Sequence, residues 1–330
     1  MHELAPLKVG VLACGRYVHT RGIWGAIIHP ERAEGQPFAQ TRATRMVLSH
    51  TWDVDREKAA EFAHHYPEVE VVDHFGDMVG QVDGVILDDF DSCLHFKELA
   101  RPYLEAGIPM FINRPFALNL ADARALIELA RRHEAPIMCA STFEFAPEIE
   151  HIRRELAAAA PLSGYVAANS MSDYATHGIH GLFFVHACVG GGIRSVSYQT
   201  PDWKNPNGVV IIEHEGRDGG RPFYGCVQQI QGPWAWIKGF GKQTVEQSVL
   251  TGDYFWLPLV LEMQKMFETR KMPQSYETLY EKTQLFLAGF MSHLERGGAP
   301  VTFAEIGDWG APRLNPDPYP EGYFGCGNPA

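Results

Sequence analysis

No stretch of this chain approaches the ~18 consecutive apolar residues that a membrane-spanning helix needs, so none is expected. Positive charge is scarce: 28 Lys and Arg stand against 40 Asp and Glu, a formal charge of -12. Nucleic acid and anionic membrane both demand clustered positive charge, and the balance excludes them as partners. It leaves room for a small anionic ligand, which needs only one local basic pocket. Cysteine is sparse, at six residues, and no two form a C-x-x-C pair. With Cys14, Cys139 and Cys188 in apolar segments, reduced buried thiols in a cytoplasm are expected, not a disulfide framework or a zinc site. The opening MHELAPLKVGVL lacks a charged region followed by a long apolar stretch, so it does not read as a signal peptide. Internal repeats and low-complexity tracts are missing too.

What is present is ordinary globular composition, 45% hydrophobic and 21% charged over 330 residues, enough for one large or two medium domains. The first half alternates. Short apolar runs at 7–12 (LKVGVL), 45–52, 69–72, 84–87, 109–112 and 135–140 read as strands buried on both faces. Helical patterns fall between them at 17–28, 55–65, 92–106 and 120–132, with Asp53 or Asp55 as a cap for the second. Strand and helix in turn predict an α/β, doubly wound parallel sheet of Rossmann type. In the second half, strands at 163–171, 192–199, 209–214, 223–230 and 234–239 follow one another, the last three with no convincing helix between them. That pattern predicts an α+β domain with a large, mainly antiparallel sheet, and a long helix at 277–296 follows it. The expected boundary is 1–145 against 146–330, with a proline- and glycine-rich tail running irregularly over the surface.

The first strand leads into GVLACGRYVH. A dinucleotide loop uses three glycines: for the tight turn, for close approach of backbone to diphosphate, and for helix–strand packing. Here those positions hold Ala13, Gly15 and Val18. The most demanding one keeps its glycine, and Ala13 is tolerable if its φ is negative. Asp53 closes the second strand, where a carboxylate accepts from ribose hydroxyls and repels a 2′-phosphate; this favours NAD over NADP.

The ordered set VGVLACG, Asp53, VDGVIL, HFKELARPYLEAGIPMFINRPFA and SDYATHGIHG, with the closing stretch from LEMQKMFETRKM to APVTF, resembles the glucose-fructose oxidoreductase and inositol dehydrogenase (Gfo/Idh/MocA) family, in a divergent form. The resemblance reaches about residue 303. It implies a Rossmann domain followed by an open-sheet domain, homodimers or homotetramers built on that sheet, and hydride transfer between NAD(P) and a hydroxyl carbon of a sugar, polyol or sugar acid. It also implies that Ala13, Gly15, Arg16, Tyr17, Asp53 and Asn113 hold the cofactor.

Hydride transfer from an alcohol needs a base for the hydroxyl proton and positive charge for the developing alkoxide. Where the family has Glu-Lys-Pro, this chain has Asn113-Arg114-Pro115. Arginine binds and stabilises but shuttles protons poorly, so Arg114 is expected as an electrostatic group. The family's acid–base histidine aligns with His180, and His177 shares its helical face; the usual aspartate three residues on is Phe183. Glu144 stands where relatives often carry arginine and, with Asp173, is expected to bind substrate. A divalent ion on Glu144, His177 and His180 is a weaker alternative, and no metal is assigned. Asp88, Asp89 and Asp91 crowd carboxylates near the expected phosphates, and Phe90-Asp91 replaces the family's Thr-Pro. Trp203, Trp234, Trp236 and Tyr254 suggest either a sugar-stacking surface or core. The first expectation is an NAD-dependent dehydrogenase. A non-redox lyase, hydratase or hydrolase, or a ligand sensor on the same scaffold, stands as the alternative.

Overall fold

A computed structural model describes residues 5–15, 19–32, 44–170, 173–205, 207–216, 220–230, 234–252 and 255–324, without the side chains of Ser170 and Trp234. Two sheets organise these residues. The first has β1 (Leu7–Leu12), β2 (Met46–Trp52), β3 (Glu70–Val71), β4 (Gly84–Leu87), β5 (Met110–Ile112) and β6 (Ile137–Met138), in the order β3-β2-β1-β4-β5-β6. Every pairing is parallel. Helices α1 (Gly25–Ile28), α2 (Arg56–His65), α3 (Phe96–Glu105) and α4 (Leu120–Arg132) make the crossovers. β4 and β5 are buried at every residue, hence their unbroken apolar sequence. Because the strand order reverses between β1 and β4, a crevice opens at their carboxyl ends.

The second sheet contains β7 (Gly164–Ser170), β8 (Ile193–Gln199), β9 (Val209–His214), β10 (Phe223–Ile230), β11 (Trp234–Phe240), β12 (Thr244–Leu250) and β13 (Val301–Thr302). Their order is β12-β11-β7-β10-β9-β8-β13, and β7 with β10 is the parallel exception in an otherwise antiparallel sheet. Helices α5 (Glu148–Ala159), α6 (Ile179–Val189) and α8 (Tyr276–Arg296) pack on it. The opposite face leaves Val166 and Tyr224 exposed. The remaining helices are α7 (Leu257–Thr269) and the short α9 (Phe303–Ile306).

α7 returns to the first sheet. Its Val260, Met263 and Phe267 share a buried cluster with Val9, Ile86 and Phe111. A Cβ on Gly84 would come within 2.5 Å of the Phe267 ring, so glycine in β4 permits this close approach. The second half of the chain therefore supplies part of the core of the first.

Several local expectations change. In place of a regular helix over 17–28, a wide π-type turn at Thr20–Trp24 leads into α1, and residues 17 and 18 lie outside the described part. β3 and β6 shrink to two residues each. α5 and β12 are elements the sequence pattern did not reveal. Nor does the tail lie over the surface alone, since Tyr319 is only 6% exposed.

Candidate active site

The crevice begins where β1 ends. Ala13 adopts φ 54°, the left-handed region that glycine favours, so the negative φ that would make alanine easy to accommodate is not met. Its N–H donates to Trp52 O at 2.9 Å, and its carbonyl accepts from Asp89 N at 3.0 Å, so neighbouring strand ends hold the turn. Gly15 is needed for a different reason. A Cβ there would stand 2.9 Å from Asp53 Oδ2 and 3.3 Å from Asp89 Oδ2. Arg16 and Tyr17 lie outside the described residues.

Asp53 is buried at the end of β2. The cap of α2 is its neighbour Asp55, whose side chain accepts from Glu57 N and Lys58 N. Burial pushes the Asp53 carboxyl up to about 7; the Asp89 charge adds to this, and the amides of Asp55 and Gly15 oppose it. Asp88, fully buried, accepts from Thr20 N at 2.9 Å through Oδ2, and its Oδ1 has no hydrogen-bond partner among the described residues. Burial raises it to about 7 as well, with Asp89 contributing. The ends of β1, β2 and β4 thus enclose a nest of carboxylates.

The Arg114–Pro115 peptide is cis. Asn113, also buried, donates to Asp88 O at 2.7 Å, and its Oδ1 accepts from Arg114 N at 3.0 Å and Arg114 Nη1 at 2.7 Å. That side chain ties β4 to β5 and is fully engaged in doing so. The Arg114 guanidinium is 3% exposed and its Nη2 reaches His19 Nε2 at 3.3 Å. Burial lowers its pKa to about 10. His19, which the sequence did not single out, stands between Arg114 and the open cleft. Asn113 Nδ2 faces its other ring nitrogen at 3.2 Å, so the ring is held between Arg114 and Asn113.

Across the cleft, residues 174–178 form a second π-type turn, a feature frequent at functional sites. Asp173 caps it, accepting from Thr176 N at 2.7 Å. Its Oδ2 accepts from the Thr176 hydroxyl and lies 3.1 Å from His177 Nδ1. Burial works against this charge, but hydrogen bonds from His177 and Thr176 hold the carboxyl down at about 2. Asp173, His177, His19, Phe90, Trp203 and Asn315 line a cleft of about 610 Å³.

His180 is elsewhere. It is 1% exposed, its Nδ1 lies 2.6 Å from Ser141 Oγ, and its ring centroid is 6.4 Å from that of His177. Burial drives its pKa well below the usual 6.5, and the Arg114 charge adds to this. The expected acid–base residue is thus a neutral imidazole behind the cleft. Glu144 is not brought to the cleft either. Its Oε1 accepts from Lys282 Nζ at 2.7 Å and Gln274 Nε2 at 3.0 Å, and its Oε2 from Ser141 N at 2.7 Å. Among the described residues no three His, Cys, Asp or Glu gather as metal ligands, and Glu144 is committed to a buried ion pair. Of the tryptophans, Trp203 reaches the cleft, whereas Trp236 bonds Glu246 on β12. Tyr254 and the Trp234 side chain lie outside the described part. A larger hollow of about 720 Å³ beside α5 and α6 contains His186, but that ring is engaged by Glu281 at 3.1 Å. The cleft at His177 therefore has the better claim to chemistry.

Residues 20–141 match the profile of the oxidoreductase family with an NAD-binding Rossmann fold, Gfo/Idh/MocA. This segment is similar to the Rossmann domain of the Gfo/Idh/MocA oxidoreductases. The whole chain also superposes on solved structures of that architecture. Scyllo-inositol dehydrogenase from Lactobacillus casei, with bound NAD(H) and scyllo-inositol, has a TM-score of 0.68 at 13% identity, covering 91% of this chain and 99% of that one. GenD2 from gentamicin A biosynthesis, in complex with NAD, gives 0.67 at 16%, covering 92% and 97%. These likenesses extend the fold over both sheets. D-apiose dehydrogenase of Paraburkholderia graminis is 36% identical over 80 residues, 23% of this chain and 21% of its own length. The chain spans between 21% and 61% of the curated relatives it matches.

Proposed function

We propose that this protein is an NAD-linked oxidoreductase acting on a hydroxyl or keto carbon of a polyol, sugar or sugar acid. His177 is its proton carrier. The observation that carries the reading is the 3.1 Å contact between His177 Nδ1 and Asp173 Oδ2 on the wall of the cleft. A carboxylate on Nδ1 fixes ring and tautomer, and Nε2 is the nitrogen that exchanges a proton with a ligand hydroxyl. Asp173 also stabilises the imidazolium once the proton arrives, the role of an orienting acid.

The coenzyme reading draws on Gly15, where the space a Cβ would take is closed by Asp53 and Asp89 and only bare backbone fits. Gly15 and Asp53 would hold its diphosphate and ribose, with Ala13 shaping the turn; when bound it supplies the hydride acceptor. Asp53 disfavours a 2′-phosphate by charge, which supports NAD over NADP. Arg114 acts through His19 and through its field, while His180 holds the segment of Ser141 in place. Phe90 and Trp203 give the cleft apolar walls for the carbon face of a polyol. The sheet face carrying Val166 and Tyr224 is the surface on which a second copy would pack.

The test compares His177→Ala with His180→Gln across a panel of polyols with NAD. His177→Ala should lower kcat by about 10²–10⁴-fold with its unfolding midpoint preserved. His180→Gln should act mainly on stability. The reverse order of effects would overturn the assignment.

A further inference from the structure

The last described stretch crosses back to the first domain. Ala311 N donates to Leu118 O at 2.7 Å, and from there to residue 324 no backbone–backbone hydrogen bond joins the segment to the rest of the described residues. Side chains hold it instead. Asn315 Nδ2 donates to Asp91 Oδ1 at 2.6 Å, Asp317 Oδ2 lies 2.9 Å from His95 Nε2, and Tyr319 Oη donates to Ser92 Oγ at 3.1 Å. The Tyr319 ring lies 23° from parallel to Trp52 with centroids 6.4 Å apart, and meets His95 edge-on at 4.7 Å. Phe324 stacks on His95 at 4.8 Å and packs on Phe75 at 5.9 Å.

These anchors lie around the carboxyl ends of β2 and β4. With strands in the order β3-β2-β1-β4-β5-β6 and the acid Asp53 ending β2, a ribose held there must place its base on the same side. Trp52, the residue before Asp53, already has a flat aromatic partner: Tyr319. The segment carries four prolines (Pro312, Pro316, Pro318 and Pro320), which keep it out of helix or strand. An irregular segment fastened only by side chains can leave without breaking a sheet or helix.

We propose that residues 314–324 are a built-in occupant of the base end of the coenzyme crevice, with Tyr319 in the place of the base, so that a dinucleotide binds only as this strap lifts. The inference rests on the coenzyme reading of the crevice given above. The wall of the substrate cleft includes Leu314 and Asn315, so lifting the strap also alters that wall. Coenzyme binding and substrate access are coupled through one segment.

The experiment uses the full chain and measures binding by calorimetry with ADP-ribose, which carries the base end, and with nicotinamide mononucleotide, which lacks it. Hydrogen exchange of peptides covering 314–324 is followed alongside. If the strap is closed nine times in ten or more, Tyr319→Ala should bind ADP-ribose at least about tenfold more tightly than the natural chain. Nicotinamide mononucleotide should be unaffected within about twofold. Asp317→Ala, which loosens the strap without emptying its pocket, should gain about threefold, and guards against misfolding of the first variant. In the natural chain, saturating ADP-ribose should speed exchange across the strap. Unchanged or weaker ADP-ribose binding by both variants, with strap exchange unaltered by ligand, would make the segment a permanent wall and overturn the proposal while sparing the coenzyme reading. Absence of ADP-ribose binding in all three proteins would overturn both.

Discussion

Replacing Asp88 by asparagine removes a carboxylate that the fold buries completely. Its Oδ2 keeps one amide partner, Thr20 N, which the asparagine oxygen can accept equally well. The remaining oxygen has no hydrogen-bond partner among the described residues; the Thr20 side chain eases the charge a little, and Asp89 lies close enough to add repulsion. Burial, the leading cause, lifts the carboxyl from its ordinary 3.8 to about 7. A folded-state value above the unfolded one means that the folded protein holds more protons between those two pH values. Stability from this group is thus complete below about 3.8 and lost as pH rises through about 7. The full loss is about 4 kcal/mol, and the part falling between about pH 5 and pH 8 is about 2–3 kcal/mol. Asparagine does not titrate, so Asp88→Asn should gain on the natural protein by that amount over that interval. For a chain of this size the difference is about 3–4 °C in unfolding midpoint. Asp53, raised to about 7 by its own burial, changes both proteins alike and cancels from the comparison. Thermal unfolding at the two pH values, followed by circular dichroism, reads the gap directly. A gap that is constant, or that narrows towards pH 8, would refute the account of Asp88 as a buried, penalised charge.

Two further substitutions examine the frame around the site. Ala13→Gly relieves a left-handed alanine at a cost of some unfolded-state entropy, and should stabilise by about 1 kcal/mol or less in urea unfolding; a loss of that size would mean the Cβ contributes more by packing than it costs in strain. Lys282→Met leaves Glu144 charged and buried without its cation, and should destabilise by about 3–5 kcal/mol, most of which Lys282→Met with Glu144→Gln together should restore; equal losses in the single and double variants would deny the coupling.

The parallel half of the fold was legible because strands such as GVIL and MFI are buried on both faces and leave no polar residue to disguise them. α6 was harder to read, since it is buried almost all round and shows no polar stripe to reveal its period. α7 presents an apolar face that could have served either sheet, and only tertiary packing decides for the first. Within the site, His177 and His180 share a helical face, so their spacing does not choose between them. Asp173 was expected at the substrate, and the unread signal was its position four residues before His177, a separation that brings two side chains together in a helical turn. His19 had no such clue, because its importance comes from Arg114, which is remote in sequence. The tail's prolines announced irregular chain correctly; Tyr319, Tyr323 and Phe324 among them were the hint that the irregular chain is anchored.

The departures from an ordinary dinucleotide crevice are not scattered. A left-handed alanine at position 13, a carboxylate on the Thr20 amide and a tyrosine beside Trp52 all lie along one line across the strand ends. Each replaces something a bound diphosphate or base would otherwise satisfy: a relaxed turn, an anion for an amide, an aromatic partner for an aromatic ring. On the substrate side the His177–Asp173 pair borders an open cleft. One end of the crevice is thus held closed by the chain's own groups at a cost in stability, while the other stays open. The same carboxylates and ring must then be displaced or protonated when coenzyme arrives, so that binding draws on the stability of this end of the crevice and not on that of the chemistry beside it.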